Sequence, residues 1–246
     1  MRVAPDSIRS MFLVALTTLS VGCVDNQLSF VIARFAALDP DSNCVADPGT
    51  QTNLNIGTLD VGITAEGYAG YMAAPIVENR LLNKASTITV ETNNIQLTGV
   101  DVELQPSAGL AGAIPKSQRK FFVPAAGGFL APAGGSAGIV VEVSPKQLAL
   151  ALSAVIQQGA APERLVARIR PVGKHAGQNI DGGYSSLPID ICKFCLTPPP
   201  SPCPADGVLE KNLLLGSCYP AQDQKVTCCR QDTTLCGADV PVSTVP

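Results

Sequence analysis

Cysteine supplies the most distinctive chemistry in this 246-residue chain. The segment "DICKFCLTPPPSPCP" carries three of the nine cysteines. Its Cys192-x-x-Cys195 pair suits half of a zinc site, a redox-active dithiol or a disulfide. Zinc is disfavoured because no second Cys-x-x-Cys follows, and the one histidine, His175, lies about 17 residues upstream. A redox motif usually opens a helix, whereas "CKFC" follows a strand-like segment and runs into prolines. We predict no metal site.

The N-terminal segment indicates the compartment in which these thiols would lie. Arg2 and Arg9 precede an uncharged run from Met11 to Cys23. The apolar part of this run is about eleven residues long, which fits an export signal and is too short to span a bilayer as a helix. Export brings cysteines into an oxidising environment, so disulfides are expected.

The end of this run resembles the lipobox of bacterial lipoproteins. Residues 19–22, Leu-Ser-Val-Gly, directly precede Cys23, although Ser20 stands where leucine is commoner. The resemblance implies a signal peptide over 1–22, cleavage before Cys23, lipidation of that thiol and a lipidated tether over 23–26. Val24 follows instead of aspartate, which by the same resemblance favours the outer membrane. The alternative is an ordinary signal peptide that is cut near a cysteine.

The C-terminal region adds to this resemblance. "PIDICKFCL" is followed by a Cys-rich tail that contains the pair "CC". Together with the lipobox, these features resemble predicted outer-membrane lipoproteins of the myxobacterial type. The resemblance implies an exported, lipid-anchored envelope protein and brings no known activity with it.

With Cys23 assigned to the lipid, an even number of cysteines remains, which favours four disulfides. Cys228 and Cys229 are adjacent, too close in the chain to bond to each other, so we expect them to have different partners. Cys44 lies far from the others, and full pairing would join it to the tail. We predict Cys192 or Cys195 as its partner. The eight predicted disulfide cysteines are Cys44, Cys192, Cys195, Cys203, Cys218, Cys228, Cys229 and Cys236.

Other patterns that could support chemistry are weak. Asp39, Asp41, Asn43 and Asp47 match four places of a calcium loop, but the sixth place is Cys44 and the twelfth is threonine. An Asx/Pro turn is the favoured interpretation, and another kind of loop calcium site is the alternative. A polar recognition surface, for a glycan or a peptide, is conceivable around Tyr68, Tyr71 and the asparagines of "ETNN". Packing is the commoner role of such tyrosines.

Composition narrows the function further. The formal net charge is −3, and no basic cluster suggests nucleic acid. The lone His175 and the absence of a nucleophile motif predict no catalysis and no cofactor. We expect a non-enzymatic structural or binding module, anchored to the membrane, with an envelope protein or glycan partner. The alternatives are an accessory subunit of an adhesin or pilus, and, less favoured, a hydrolase with an unrecognised site.

Short alternating segments predict the architecture. Strand patterns recur from Gln27 to Ile191, with turn signals between them. They predict an all-β domain over 27–191, an antiparallel β-sandwich of Ig-like or related type, followed by a small disulfide-rich tail over 192–246. The alternative is a less regular α+β domain. The runs "ERLVARIRPVGKH" and "YSSLPIDI" are predicted to pair antiparallel, with Arg168 and Arg170 facing outward.

One short helix interrupts the strands. Ser144 is predicted as its N-cap, with Pro145 as the first helical residue and Gln147 completing a capping box. Gly159 is predicted to end it. Its buried face is expected to carry Leu148, Leu152, Val155 and Ile156.

Overall fold

The computed structural model describes residues 29–38, 43–49, 52–64, 70–84, 91–125, 128–196, 218–219 and 221–224. The predicted signal peptide over 1–22, Cys23 and the tether over 23–26 lie outside these residues. So do Asp39, Asp41 and Tyr68 and the tail cysteines Cys203, Cys228, Cys229 and Cys236. Among the described residues, no helix has the length and apolar character needed to cross a membrane.

The described residues are mostly strand, in agreement with the predicted all-β class. Two helices lie among the strands. In chain order the elements are β1 Phe30–Phe35, β2 Gly57–Asp60, α1 Val61–Thr64, β3 Tyr71–Ala73, β4 Pro75–Asn79, β5 Ile95–Pro106, β6 Lys120–Pro124, β7 Phe129–Leu130, β8 Gly135–Gly138, β9 Val141–Ser144, α2 Lys146–Ser153, β10 Glu163–His175, β11 Gln178–Asp181 and β12 Ser185–Cys192.

The main sheet has the strand order β2-β12-β10-β5-β6, with β7 paired to β5 and β11 paired to β10. Its two longest strands, β5 and β10, pair antiparallel at its centre. The predicted antiparallel pairing of β10 with β12 is confirmed, with Leu165 opposite Ile189. The short β11 lies in the connection between them, which the sequence pattern predicted as a turn. One pair departs from the antiparallel expectation, because β2 runs parallel to β12.

A second layer covers the inner face of the main sheet. It contains the three-stranded sheet β1-β4-β8 and the two-stranded sheet β3-β9, together with α2. Side chains from both layers form one buried hydrophobic cluster, in which Phe30, Leu104 and Leu152 are almost fully buried. The predicted sandwich-like fold is therefore confirmed.

Several local predictions are corrected by the pairing. A proline inside a strand-like segment such as "GYAGYMAAPIVENRLL" predicts an edge strand or a strand that leads into a short helix. Pro75 instead begins β4, the central strand of its sheet, because the first position of a strand tolerates a missing N–H. The pattern "NLNIGTLDVGIT" predicted alternation as far as Ile63, whereas the chain turns into α1 after Asp60. The Ala/Gly-rich composition of "AAGGFLAPAGGSAG" after β6 predicts a flexible surface loop, yet the segment contains β7 and β8.

The alternating pattern of "STITVETNNIQLTGVDVELQ" predicts either a hairpin that turns at the two asparagines or one long bulged strand. From Ile95 onward the structure shows a single strand, β5. Gly99 pairs with Val172 and Leu97 pairs with Gly173, so Thr98 forms the extra residue of a bulge. The hydroxyl of Thr98 donates to the Val172 carbonyl oxygen at 3.0 Å, so this carbonyl has a hydrogen-bond donor at the bulge.

The predicted capping box does not form. Ser144 ends β9, and its buried hydroxyl has no hydrogen-bond partner. Pro145 occupies the N-cap position, and α2 ends at Ser153, six residues before Gly159. On the predicted buried face, Leu148, Leu152 and Ile156 are buried, whereas Val155 is exposed.

Close packing around β8 generates a stability prediction. A Cβ added to Gly138 would overlap the backbone carbonyl of Ala46, which packs against the strand. We expect Gly138→Ala to lower the free energy of unfolding by about 1–3 kcal/mol, because the backbone must move. The matched control is Gly112→Ala, where no atom lies within 4 Å of the added Cβ and the change should be within about 0.5 kcal/mol. Urea denaturation of both variants measures this, and equal stabilities would contradict it.

Candidate functional site

The outer face of the main sheet carries a groove lined by charged and aromatic side chains. Alternation along β5 buries Val102 between Asp101 and Glu103, which point outward. The same alternation along β10 buries Ile169 and turns Arg168 and Arg170 outward, as predicted. The groove measures about 400 Å³ and is lined by Asp101, Val102, Glu103, Lys120, Phe121, Phe122, Arg170 and Tyr184.

Strand register builds one ion-pair row across this face. Glu103 lies directly between Lys120 of β6 and Arg168 of β10. Its carboxylate accepts from both cations, with N···O distances of 3.1 Å each. Opposite charges on facing positions of neighbouring strands stabilise their pairing.

A second row lies two residues along the strands. Asp101 is placed between Phe122 and Arg170. Arg170 Nη2 lies 2.7 Å from Asp101 and 3.2 Å from Asp181. The hydrogen bond to Asp101 is the main cause of a raised Arg170 pKa, so this guanidinium stays charged.

Aromatic rings flank these charges. The Arg168 and Arg170 guanidinium carbons lie 4.5 and 5.2 Å from the Tyr184 ring centroid, within cation–π range. Tyr184 is 41% exposed and Phe122 is 49% exposed, so both rings remain available to a ligand. The groove therefore offers flat apolar faces beside hydrogen-bonding groups of balanced charge.

The residues that the sequence suggested for polar recognition are not on this face. Tyr71 is fully buried, so it cannot line a surface. Asn93 is also buried, and its amide donates to the Leu82 carbonyl at 2.6 Å. The segment "PVGKHAGQ" predicts a solvent-exposed hairpin arm for His175. The structure instead has His175 partly buried at the end of β10, with Nε2 3.4 Å from Asn93 Oδ1. Asn93 and His175 meet at one end of β10, whereas the Tyr71 hydroxyl lies beside Gly57 of β2.

The early turn around Cys44 shows Asx geometry at one place. Asp47 Oδ1 accepts the Gly49 N–H at 2.8 Å, as the Asx/Pro interpretation predicted. Asn43 and Cys44 both adopt positive φ, of 56° and 58°.

Two disulfides are described. Cys44 bonds to Cys218, with Cα atoms 5.3 Å apart, so the early turn is joined to the tail as expected. The predicted partner was wrong: Cys192 and Cys195 bond to each other, with Cα atoms 5.9 Å apart. The Cys44 turn packs on β8 through Ala46, while the chain after β12 folds back on itself. Disulfides indicate an oxidising, exported environment.

The tail docks beside β2 through specific hydrogen bonds. Gln222 accepts the Met72 N–H at 2.8 Å and donates to the Met72 carbonyl at 2.7 Å. Asp223 accepts the Thr58 N–H at 2.7 Å and the Tyr71 hydroxyl at 2.9 Å. We name residues 221–224 the docked tail segment.

Burial changes the acidity of this contact. Desolvation is the main cause of a raised Tyr71 pKa, and the neighbouring Asp223 raises it further. Desolvation likewise raises the Asp223 pKa, while its hydrogen bonds to Thr58 and Tyr71 act in the opposite direction.

A scan against protein-family models matches no family, and a search of curated proteins finds no significant match. The class defined by the fold and the groove is therefore an all-β, disulfide-bonded domain with a polar, aromatic-flanked surface groove. Sequence reasoning missed the groove, although outward alternation of Asp101, Glu103 and Arg170 could be read from the strand patterns. The missing information was which strands are neighbours.

The Asp223 contact predicts a pH dependence of stability. Because its folded pKa is raised, its stabilising contribution is complete below the unfolded value of 3.8 and is lost as pH rises through the folded value. We expect the unfolding free energy of the wild type, minus that of Asp223→Asn, to increase as pH falls from 7 to 4. Urea denaturation across this range measures the difference, and a constant or decreasing difference would contradict it.

Proposed function

We propose that this chain is a non-enzymatic, lipid-anchored binding module of the outer membrane that binds a neutral glycan in the groove on its main sheet. The main supporting observation is that one groove contains both balanced charges and two exposed aromatic rings. A volume near 400 Å³ lies within the usual range of small-ligand sites.

Charge balance favours a neutral ligand. Asp101, Glu103 and Asp181 offset Lys120, Arg168 and Arg170 in contacts of 2.7 to 3.2 Å. A strongly charged ligand would meet repulsion from half of these groups. Sugar hydroxyls can instead donate to the carboxylates and accept from the cations, while the C–H face of a sugar ring packs on an aromatic ring.

The proposed lipid anchor and outer-membrane location are supported by features outside the groove. The disulfides agree with export, and the lipobox resemblance at Cys23 supplies the lipid anchor. The proposal assigns no catalysis, because the chain has one histidine and its ring contacts Asn93. An accessory role in a surface assembly is the alternative that a protein partner would support.

The first test of glycan binding substitutes the aromatic residues of the groove. Truncating Phe122→Ala or Tyr184→Ala should weaken glycan binding about tenfold or more, because each removes a ring face that the ligand contacts. The matched control is Phe129→Ala, an exposed phenylalanine on β7 that does not line the groove and should leave affinity unchanged. Calorimetric titration with a panel of neutral oligosaccharides measures the affinities.

Two outcomes would count against this proposal. One is no binding to any neutral oligosaccharide by the wild type. The other is equal weakening by all three variants. A stable protein complex, recovered from detergent-solubilised envelopes and insensitive to Phe122→Ala, would favour the assembly alternative.

The lipid anchor has a separate test. Full-length wild type expressed in a bacterial host should partition into the detergent phase of a phase-separating detergent, because two or three acyl chains anchor it firmly. Cys23→Ser should move to the aqueous phase, and Cys44→Ser serves as a cysteine control that keeps the anchor. Equal partitioning of wild type and Cys23→Ser would show that Cys23 carries no lipid.

A further inference from the structure

A fully buried carboxylate organises the loop that follows β12. Asp60 Oδ1 accepts the N–H groups of Gly62 at 3.0 Å and of Phe194 at 2.7 Å. Asp60 Oδ2 accepts the N–H of Leu196 at 2.9 Å. One charged group therefore holds two turns of backbone, and charge-assisted bonds of this kind are among the stronger ones in proteins.

Two sulfur atoms lie beside this carboxylate. An Asp60 oxygen and the Sγ atoms of Cys192 and Cys195 all lie within 4.8 Å of one another. Cys192 is 2% exposed, whereas Cys195 is exposed to solvent. An external thiol can therefore reach one sulfur of the disulfide and not the other.

The loop between the cysteines is held in a costly conformation. Phe194 adopts a φ of 57°, in the left-handed region that bulky residues rarely occupy. Its ring packs over Gly62, where an added Cβ would lie 2.8 Å from the ring carbons. Backbone strain of this kind persists where surrounding bonds hold it and clusters at functional sites.

Loop length distinguishes this disulfide from the other described one. Cys192 and Cys195 are three residues apart, whereas Cys44 and Cys218 are 174 apart. A disulfide that closes a short loop restricts the unfolded chain less. Reduction of Cys192–Cys195 should therefore lower the free energy of unfolding less than reduction of Cys44–Cys218.

We propose that Cys192–Cys195 is a thiol–disulfide exchange site that reacts with external dithiols. A thiolate of the dithiol attacks Cys195 Sγ, forming a mixed disulfide, and the Cys192–Cys195 bond breaks with its electron pair on Cys192, which takes up a proton from solvent through Asp60. The second thiol of the dithiol then displaces Cys195. The external dithiol loses two electrons and two protons, which Cys192 and Cys195 gain.

Asp60 takes part when the reduced cysteines form their disulfide again. The motif follows a strand, so no helix N-terminus stabilises a thiolate here. Asp60 is instead the charged group that lies beside Cys192. When Cys192 attacks a mixed disulfide on Cys195, its proton passes to Asp60 and the external thiolate leaves. The proton returns to solvent afterwards.

The first experiment titrates the folded, oxidised protein with dithiothreitol, then traps free thiols by alkylation and maps peptides. Trypsin cuts after Lys193, so the two fragments separate only if the disulfide is open. We expect Cys192–Cys195 to open at a dithiothreitol concentration at least about tenfold below that for Cys44–Cys218, with unchanged circular dichroism. Opening of both bonds together, on unfolding, would overturn the proposal.

Two cysteine variants test which sulfur is attacked. With oxidised glutathione, folded Cys192→Ser should form a glutathione adduct at Cys195. Folded Cys195→Ser should form none at Cys192, because that sulfur is buried. Equal adducts, or an adduct at Cys192 alone, would overturn the assignment.

The role of Asp60 is tested by the re-oxidation rate of reduced protein with oxidised glutathione. Asp60→Asn should slow the closing step about tenfold or more and alter its pH profile, since the amide cannot accept the proton. The control is Asp190→Asn, an outward aspartate of β12 paired to Arg164, which should behave as wild type. An unchanged rate and profile in Asp60→Asn would remove Asp60 from the reaction. The cysteine variants test the exchange site even if Asp60→Asn does not fold.

Discussion

The antiparallel pairing of β5 with β10 is the constraint on which the rest of the structure depends. It runs from Leu165 opposite Pro106 to His175 opposite Ile95. Because side chains alternate between the two faces of a strand, this one register buries the apolar positions and aligns the outward charges. A slip by one residue would place Arg168 and Arg170 in the core and Ile169 in water. The extra residue at Thr98 shifts the alternation of β5 by one position. Leu97 and Ile95 therefore face the core on one side of the bulge, as Val100 and Val102 do on the other.

Sequence alone predicts the strand content well and the assembly less well. Alternation in β10 and β12 is regular, and their pairing is predicted correctly because apolar residues can be buried on one face only. The capping box fails because Ser144 is needed as the last residue of β9, a tertiary contact that outweighs local capping preference. Cys44 bonds to Cys218 and not to a cysteine at the end of β12, and the tail that carries Cys218 is held beside β2 and β3 by contacts that no local pattern specifies. The groove needs the consecutive strands β5 and β6 beside the distant β10, and no local pattern specifies that order.

Asp60 shows how one buried charge can combine two roles. Its hydrogen bonds fix the loop after β12, and its position places a carboxylate beside two sulfurs. An uncompensated charge in such a site would be costly, so the N–H donors that surround it are part of the fold's stability. The groove on the main sheet depends instead on surface charges that are individually weak and act through their register. The two sites therefore differ in how the fold responds to substitution. A single change in the groove should cost the fold little stability, whereas replacing Asp60 removes the bonds that fix its loop.

The docked tail segment has a consequence for how this domain behaves among other copies of itself. Asp60 donates its N–H to Ala221, Thr58 accepts from Asp223, and Leu59 forms a bridge with Gln222, so the tail continues the hydrogen bonding of β2. An uncovered sheet edge is a template for strands from neighbouring molecules and for aggregation. By filling this edge with its own chain, bonded to Cys44 through Cys218, the protein removes one place where crowded copies could join into a continuous sheet.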